Sequence, residues 1–162
     1  MDYVTLAKIL ILLSLANGSP VIAKRIFGEN YAAPVDGNTL FVDGQPLVGP
    51  SKTIRGVGVS LVVTALGAVL LGLQFWLGLL VASSAMAGDL FSSFLKRRLH
   101  LPSSSKVTGL DQIPESLFPV LACQPLLSLT AFDIVVACAI FFAGQVVLSR
   151  IFFWLRLRDH PY

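Results

Sequence analysis

Hydrophobic positions in this chain fall into five runs, separated by two long polar stretches and two short turns. The runs are residues 4–23, 57–73, 76–95, 117–130 and 134–155, and each predicts a helix. The first approaches the ~20 residues that a helix needs to cross hydrocarbon. Asn17-Gly18-Ser19-Pro20 interrupts it and predicts a kink or break near its exit, with Asn17 capping the break or lining a site. A cleaved leader would carry a basic start, which is missing here, and Lys8 falls within the run, so the segment reads as an anchor. The second and third runs meet at a tight turn near Gln74, beside Trp76, a residue suited to a membrane interface. Gly78, Ala82, Ser83, Ser84, Ala85, Ala87 and Gly88 give the third helix a small-residue surface for close packing. The fourth run is short and interrupted by Pro119 and Pro125; it turns near Asp133 into the fifth.

Composition turns these helices into membrane spans. Of 162 residues, 55% are hydrophobic and 13% charged, with a mean hydropathy of +0.79, whereas soluble domains carry roughly a quarter charged residues. The fold class is therefore all-α: a polytopic helical membrane protein with about five transmembrane helices and two cytoplasmic loops. Residues 1–162 form a single integral-membrane domain. Five spans put loop 24–56, loop 96–116 and the tail from Arg156 on one side. That side holds Lys24, Arg25, Lys52, Arg55, Lys96, Arg97, Arg98, Lys106, Arg156 and Arg158. The positive-inside rule makes it cytoplasmic, with the N-terminus outside the cell membrane. The net charge of +3 gives no reason to expect nucleic acid, because the cations cluster beside spans. Cys123 and Cys138 read as buried thiols, and His100 and His160 as interfacial residues.

The candidate chemistry centres on Gly88-Asp89-Leu90-Phe91-Ser92-Ser93-Phe94-Leu95-Lys96-Arg97-Arg98. At 100° per residue, Asp89, Ser92, Ser93, Lys96 and Arg97 share one helical face. A membrane stop accounts for Lys96 to Arg98. It does not account for Asp89, whose carboxylate within an apolar run costs on the order of 3 kcal/mol unless it is paired. Arg98 points away from Asp89 and keeps the membrane-stop reading. In the first loop, Gly44 and Gly49 have the spacing of a phosphate-binding P-loop, but Lys52 and Thr53 come two residues late and Pro50 lacks a donor. What remains is flexible backbone with Lys52, Thr53 and Arg55, suited to phosphate oxygens. The second loop ends in Asp111-Gln112-Ile113-Pro114-Glu115, where Pro114 opens a new helix and Glu115 serves as its N-terminal punctuation. No motif pairs a histidine with a serine or cysteine. Carboxylates for Mg²⁺, cations and glycine-rich backbone equip a site for phosphoryl or nucleotidyl transfer. A phosphomonoester, with a second pKa of about 6, is itself a competent nucleophile, and at a membrane edge it would be a lipid phosphate.

Gly88-Asp89-Leu90, Ser93, Lys96-Arg97-Arg98 and Asp111-Gln112 resemble the signature of the CDP-archaeol synthase family, which is similar to phosphatidate cytidylyltransferases. Pro34-Val35-Asp36-Gly37, Asp43-Gly44, Gly49, Lys52-Thr53 and Arg55-Gly56 resemble that family's first cytoplasmic loop, and Asn17 its polar position ending the first helix. The resemblance covers residues 15–116. It implies transfer of CMP from CTP to an archaeal ether-lipid phosphate, with Mg²⁺ and release of pyrophosphate. Carried over residue by residue, it makes Asp89, Lys96, Arg97 and Asp111 catalytic, with Asp89 and Asp111 holding the metal. It makes Asn17, Asp36, Asp43, Lys52, Thr53, Arg55, Ser93 and Gln112 substrate-binding. Residues 99–110 lack the Lys-Asp pair and the Pro-Gly-His-Gly-Gly run of the phosphatidate enzymes, and Glu115 stands one residue late. Two alternatives stay open: the same reaction on diacyl phosphatidate, and a non-catalytic membrane scaffold or small transporter subunit.

Overall fold

Coiling lets an apolar segment satisfy its own backbone polar groups, and each of the five runs does so. The structure is a computed structural model that describes residues 3–103, 105, 107 and 109–154, with side chains of 148–153 excepted. Lys106, Arg156, Arg158 and His160 lie outside the described residues. The elements in chain order are α1 (Tyr3–Phe27), α2 (Ile54–Leu70), α3 (Phe75–Arg98), α4 (Gln112–Leu127) and α5 (Ala131–Trp154). Extended pairing among the described residues is confined to two isolated bridges in the first loop, Pro34 with Thr53 and Leu40 with Pro46. The fold is all-α, as the hydrophobic pattern predicts. By length and apolarity α1 and α3 are each able to cross a membrane, while α2 and residues Ala131–Val147 are apolar but shorter.

The ends of the helices follow from capping chemistry. Thr53 caps α2, its Oγ1 accepting from Gly56 N at 3.1 Å, and the helix starts three residues before the apolar run. At the start of α5, Asp133 Oδ2 accepts from Thr130 N at 3.0 Å and Thr130 Oγ1 accepts from Asp133 N at 3.2 Å, a reciprocal cap. α4 begins five residues earlier than the apolar pattern indicates, bringing Gln112 into the helix and Asp111 to its cap position. Pro119 and Pro125 both lie inside it.

The expected break in α1 does not occur. The helix runs through Asn17-Gly18-Ser19-Pro20 and continues to Phe27. Pro20 has no N–H to give the carbonyl four residues back, Ala16 O. A neighbouring helix supplies the missing donor: Ser60 Oγ of α2 donates to Ala16 O at 2.8 Å, fully buried. Asn17 caps no break: its Nδ2 donates to Leu13 O at 2.9 Å within the same helix. Replacing Ser60 with Ala leaves a buried carbonyl unpaired and should lower stability by roughly 1–3 kcal/mol. Denaturant unfolding in detergent measures this, with Ser60→Thr, which keeps the hydroxyl, as the control. An unchanged midpoint in Ser60→Ala would show that Ala16 O finds another donor.

The core lies where α1, α2, α3 and α4 meet, around Leu12, Leu13, Ala68, Val81, Val120 and Cys123. α3 packs most extensively against α4 and then α2, so both loops emerge beside its last two turns.

Candidate active site

Two loops and two helices converge on the C-terminal end of α3. Its polar face turns inward: Ser92, Ser93, Lys96 and Arg97 are buried and Asp89 is half-buried. That is the face the 100° spacing assigns. Ser92 Oγ donates to Asp89 O at 2.9 Å, which leaves the Asp89 carboxylate free for partners from outside the helix.

The first partner is Lys52. Its Nζ reaches both carboxylate oxygens of Asp89, at 2.5 and 2.6 Å, across 37 residues of sequence. Burial is the largest influence on this ammonium and favours its neutral form. The charge and hydrogen bonds of Asp89 outweigh it, with added pull from Glu115 and Asp111, and the pKa lies above the ordinary 10.5. Lys52 is thus a fixed positive charge facing three carboxylates.

The second ion pair joins Lys96 to Asp111, Nζ to Oδ1, at 2.7 Å. Lys96 also donates to Ser105 O at 2.9 Å. Arg97 donates to Ser103 Oγ at 3.1 Å and Pro102 O at 2.5 Å. Lys96 and Arg97 are therefore both held by the second loop, in part by the neutral carbonyls of Ser105 and Pro102, which phosphate oxygens can replace. The two loops touch here as well. A Cβ on Gly49 (φ +102°) would come within 2.7 Å of Ser103 Oγ and 3.8 Å of Arg97 Cδ, so this close approach needs glycine.

The carboxylates reach one another through a tight helix crossing. A Cβ on Gly88 would overlap the Pro114 carbonyl oxygen and lie 2.5 Å from Pro114 C and 2.9 Å from Glu115 N. Backbone against backbone, α4 brings Glu115 beside Asp89, close enough for a hydrogen bond between the two carboxyl groups. Glu115 is thus more than helix punctuation. Its position was readable in the sequence, because Asp111 and Glu115 are four residues apart and share a helical face.

The other nominated residues have different partners. Asp36 organises the first loop: Oδ2 accepts from Val48 N at 2.9 Å and Gly49 N at 2.8 Å, and Oδ1 from Asn38 N at 3.1 Å. Partial burial is the largest single influence and pushes its pKa up. The donors of Gly49, Val48 and Asn38 together exceed it and hold the group below 3.8. A depressed acid stabilises above its unfolded pKa, and that support is lost as pH falls through the lower folded value. Hydrogen-exchange protection of the Val48 and Gly49 amides, corrected for intrinsic rates, should therefore hold at pH 5 and fall below 3.8. Asp36→Asn should lower it at every pH. Full protection in Asp36→Asn would show that other contacts hold this loop.

Asp43 accepts from Gln45 N at 3.1 Å and from Arg98 at 2.6 Å. Arg98 lies over the rings of Phe41 and Phe94, at 4.5 and 5.0 Å, and donates to Pro46 O at 2.7 Å. It is a clamp between loop and helix rather than a bare membrane stop. Thr53 is the α2 cap. Gln112 Oε1 accepts from Gly109 N at 2.7 Å, and Asp111 Oδ2 from Val107 N at 3.3 Å, so both shape the second loop. Ser93 is buried on the polar face of α3. Arg55 faces another way, donating to Gly28 O at 2.9 Å and to Asn30 O, with Phe27 beneath it at 6.0 Å. Asn17 bonds within α1.

No three Asp, Glu, His or Cys side chains among the described residues form a ready metal cage. The donors suit a looser mode. Asp89 and Asp111 are each paired with a lysine, and Mg²⁺ commonly takes one or two carboxylates together with substrate phosphates and water.

Known proteins resemble this chain in sequence and in overall fold. A family model described as CarS-like CDP-archaeol synthase matches residues 3–162. The CDP-archaeol synthase of Sulfurisphaera tokodaii is 31% identical over 155 residues, covering 91% of this chain and 89% of that one. That of Saccharolobus islandicus strain Y.N.15.51 is 30% identical over 154 residues, with the same coverage. The match to the Hyperthermus butylicus protein of that name is 33% identical over 104 residues, 60% of this chain, and spans only 59% of that protein. A solved structure described as an intramembrane enzyme for archaeal membrane lipid biosynthesis superposes with a TM-score of 0.67 and 26% identity. It covers 86% of this chain and 91% of its own.

Proposed function

The chain belongs to the CDP-archaeol synthase family, and on that footing we propose that its α3-centred site moves CMP from CTP to an archaeal-type ether-lipid phosphate. The enzyme is a membrane protein. All five helices form one membrane domain, the two long loops face the cytoplasm and the N-terminus lies outside. The observation that carries the reading is the pair of neighbouring ion pairs, Lys52 with Asp89 and Lys96 with Asp111, at the end of one apolar helix. Charges buried at a membrane edge are costly to keep, and this set matches the needs of a triphosphate.

The reaction forms one bond and breaks one. An oxygen of the lipid phosphate attacks the α-phosphorus of CTP in line, and the bond from that phosphorus to the bridging α–β oxygen breaks. Pyrophosphate leaves with the electron pair. The acceptor is largely dianionic near neutral pH, so no residue has to remove a proton. Lys96 and Arg97 exchange their loop carbonyls for phosphate oxygens, and Lys52 adds fixed charge beside Asp89. Ser93 and Thr53 are supporting donors, and Asp36, Asp43 and Gln112 hold the two loops in the shape that admits CTP. Asp89 and Asp111 are the residues to hold Mg²⁺ on the triphosphate. A bound Mg²⁺ neutralises developing charge on the phosphates. Arrangement and neutralisation, rather than acid–base chemistry, are what such transfers require.

The test is to incubate purified protein with Mg²⁺, labelled CTP and a panel of lipid phosphates. The expected product is a CDP-lipid from a di-isoprenoid ether acceptor. Preference for diacyl phosphatidate would reassign the acceptor, and absence of any CDP-lipid would overturn the reading.

A further inference from the structure

Between the end of α1 and the first turns of α2 runs an open groove of about 510 Å³, within the size range of ligand sites. Its walls are apolar, with Phe27, Ile54, Gly58 and Val59 among them, and Arg55 stands on its rim. Phe27 and Ile54 are 44% and 59% exposed, a large apolar surface beside a loop. A cation at the end of an apolar trough matches an amphiphile with an anionic head.

Arg55 is suited to that head. Its anchors are backbone carbonyls, which do not cancel its charge. Its Nε is buried with no hydrogen-bond partner, and no carboxylate among the described residues pairs with it. Arg55 follows Lys52 by three positions, so their Cα atoms are at most about 10 Å apart along the chain. Their heads turn to different sides, Lys52 to Asp89 and Arg55 to the Gly28 carbonyl, so an anion leaving Arg55 has only the short start of α2 to cross before it meets Lys52.

We propose that the α1–α2 groove holds the proximal isoprenoid segment of the lipid phosphate acceptor, with Arg55 drawing its phosphate toward the α3 site. This rests on the functional reading above and adds which surface selects the lipid. CTP would occupy the α3 side and the acceptor would arrive from the α1–α2 side, so that the two substrates meet at Lys52.

Gly58 gives the means of testing it. A Cβ there meets nothing within 4 Å, so Gly58→Leu starts a larger side chain from an open position in the trough wall, and leucine favours a helix more than glycine does. Gly144→Leu is the counterpart, equally open and beside a second small cavity bordered by Leu10 and Phe141. With a di-isoprenoid ether glycerol phosphate in mixed micelles, Gly58→Leu should raise the lipid KM about tenfold and leave the CTP KM unchanged. Gly144→Leu should change neither. An unchanged lipid KM in Gly58→Leu, or the rise appearing in Gly144→Leu instead, overturns the proposal.

A second measurement uses the unaltered protein. A photoreactive group on the first isoprenoid unit should label Phe27, Ile54 or Val59, and labelling confined to Leu10 or Phe141 overturns the groove. If the wild type makes no CDP-lipid the functional reading itself fails, whereas a fully active wild type with labels elsewhere defeats the groove alone.

Discussion

An Asp89→Asn protein folds in detergent and transfers CMP at least about 10³-fold more slowly than the wild type, a loss of about 4 kcal/mol at the transition state. The substitution keeps the shape of the side chain and removes its charge, and with it one of the two carboxylates proposed to hold Mg²⁺. Folding survives because the pair it breaks is partly open to solvent, the Lys52 and Asp89 side chains being 23% and 18% exposed. Glu115 and Asp111 also remain to hold the Lys52 charge. The measurement is single-turnover CDP-lipid formation at saturating CTP, beside a thermal unfolding curve. Turnover within tenfold of wild type would remove Asp89 from the catalytic set.

Gly88→Ala reaches a comparable loss by a different route. One methyl group enters the space of the Pro114 carbonyl and the Glu115 amide, neither of which is a flexible side-chain tip that can swing aside. Overpacking typically costs 1–3 kcal/mol. Here the remedy is for α4 to back away from α3, carrying Glu115 and Asp111 from Asp89 and Lys96. A displacement of about 1 Å at a phosphoryl centre can cost 10²-fold in rate. We expect a lower unfolding temperature and at least about a 10²-fold fall in transfer, with all charged groups still present. Wild-type activity in Gly88→Ala would show that the carboxylate spacing is not critical. A rate loss with unchanged stability would show that α4 shifts at little cost.

Much of this architecture is legible along the chain because it is local. The five runs locate five helices, and the spacing of Asp89, Ser92, Ser93, Lys96 and Arg97 assigns their common buried face. What escapes the sequence depends on distant partners. Pro20 signals a break because proline removes a donor, and nothing nearby tells that Ser60, 40 residues later, replaces it. Arg98 reads as a membrane stop until Asp43 arrives from the first loop. Lys52 and Arg55 look like neighbours in one phosphate-binding motif, yet one turns toward α3 and the other toward the end of α1. The start of α4 is signalled by Pro114, which falls in its first turn, and not by apolar patterning, because that turn is polar.

The bond from Ser60 to Ala16 O also bears on biogenesis. Hydrocarbon offers no water to an open carbonyl, and each unsatisfied backbone group there costs several kcal/mol. Inserted alone, α1 would expose such a group at its proline step. It becomes self-sufficient only once α2 lies alongside, so the first two helices are expected to enter the bilayer as a hairpin, and a ribosome-bound fragment ending before Ser60 should integrate poorly.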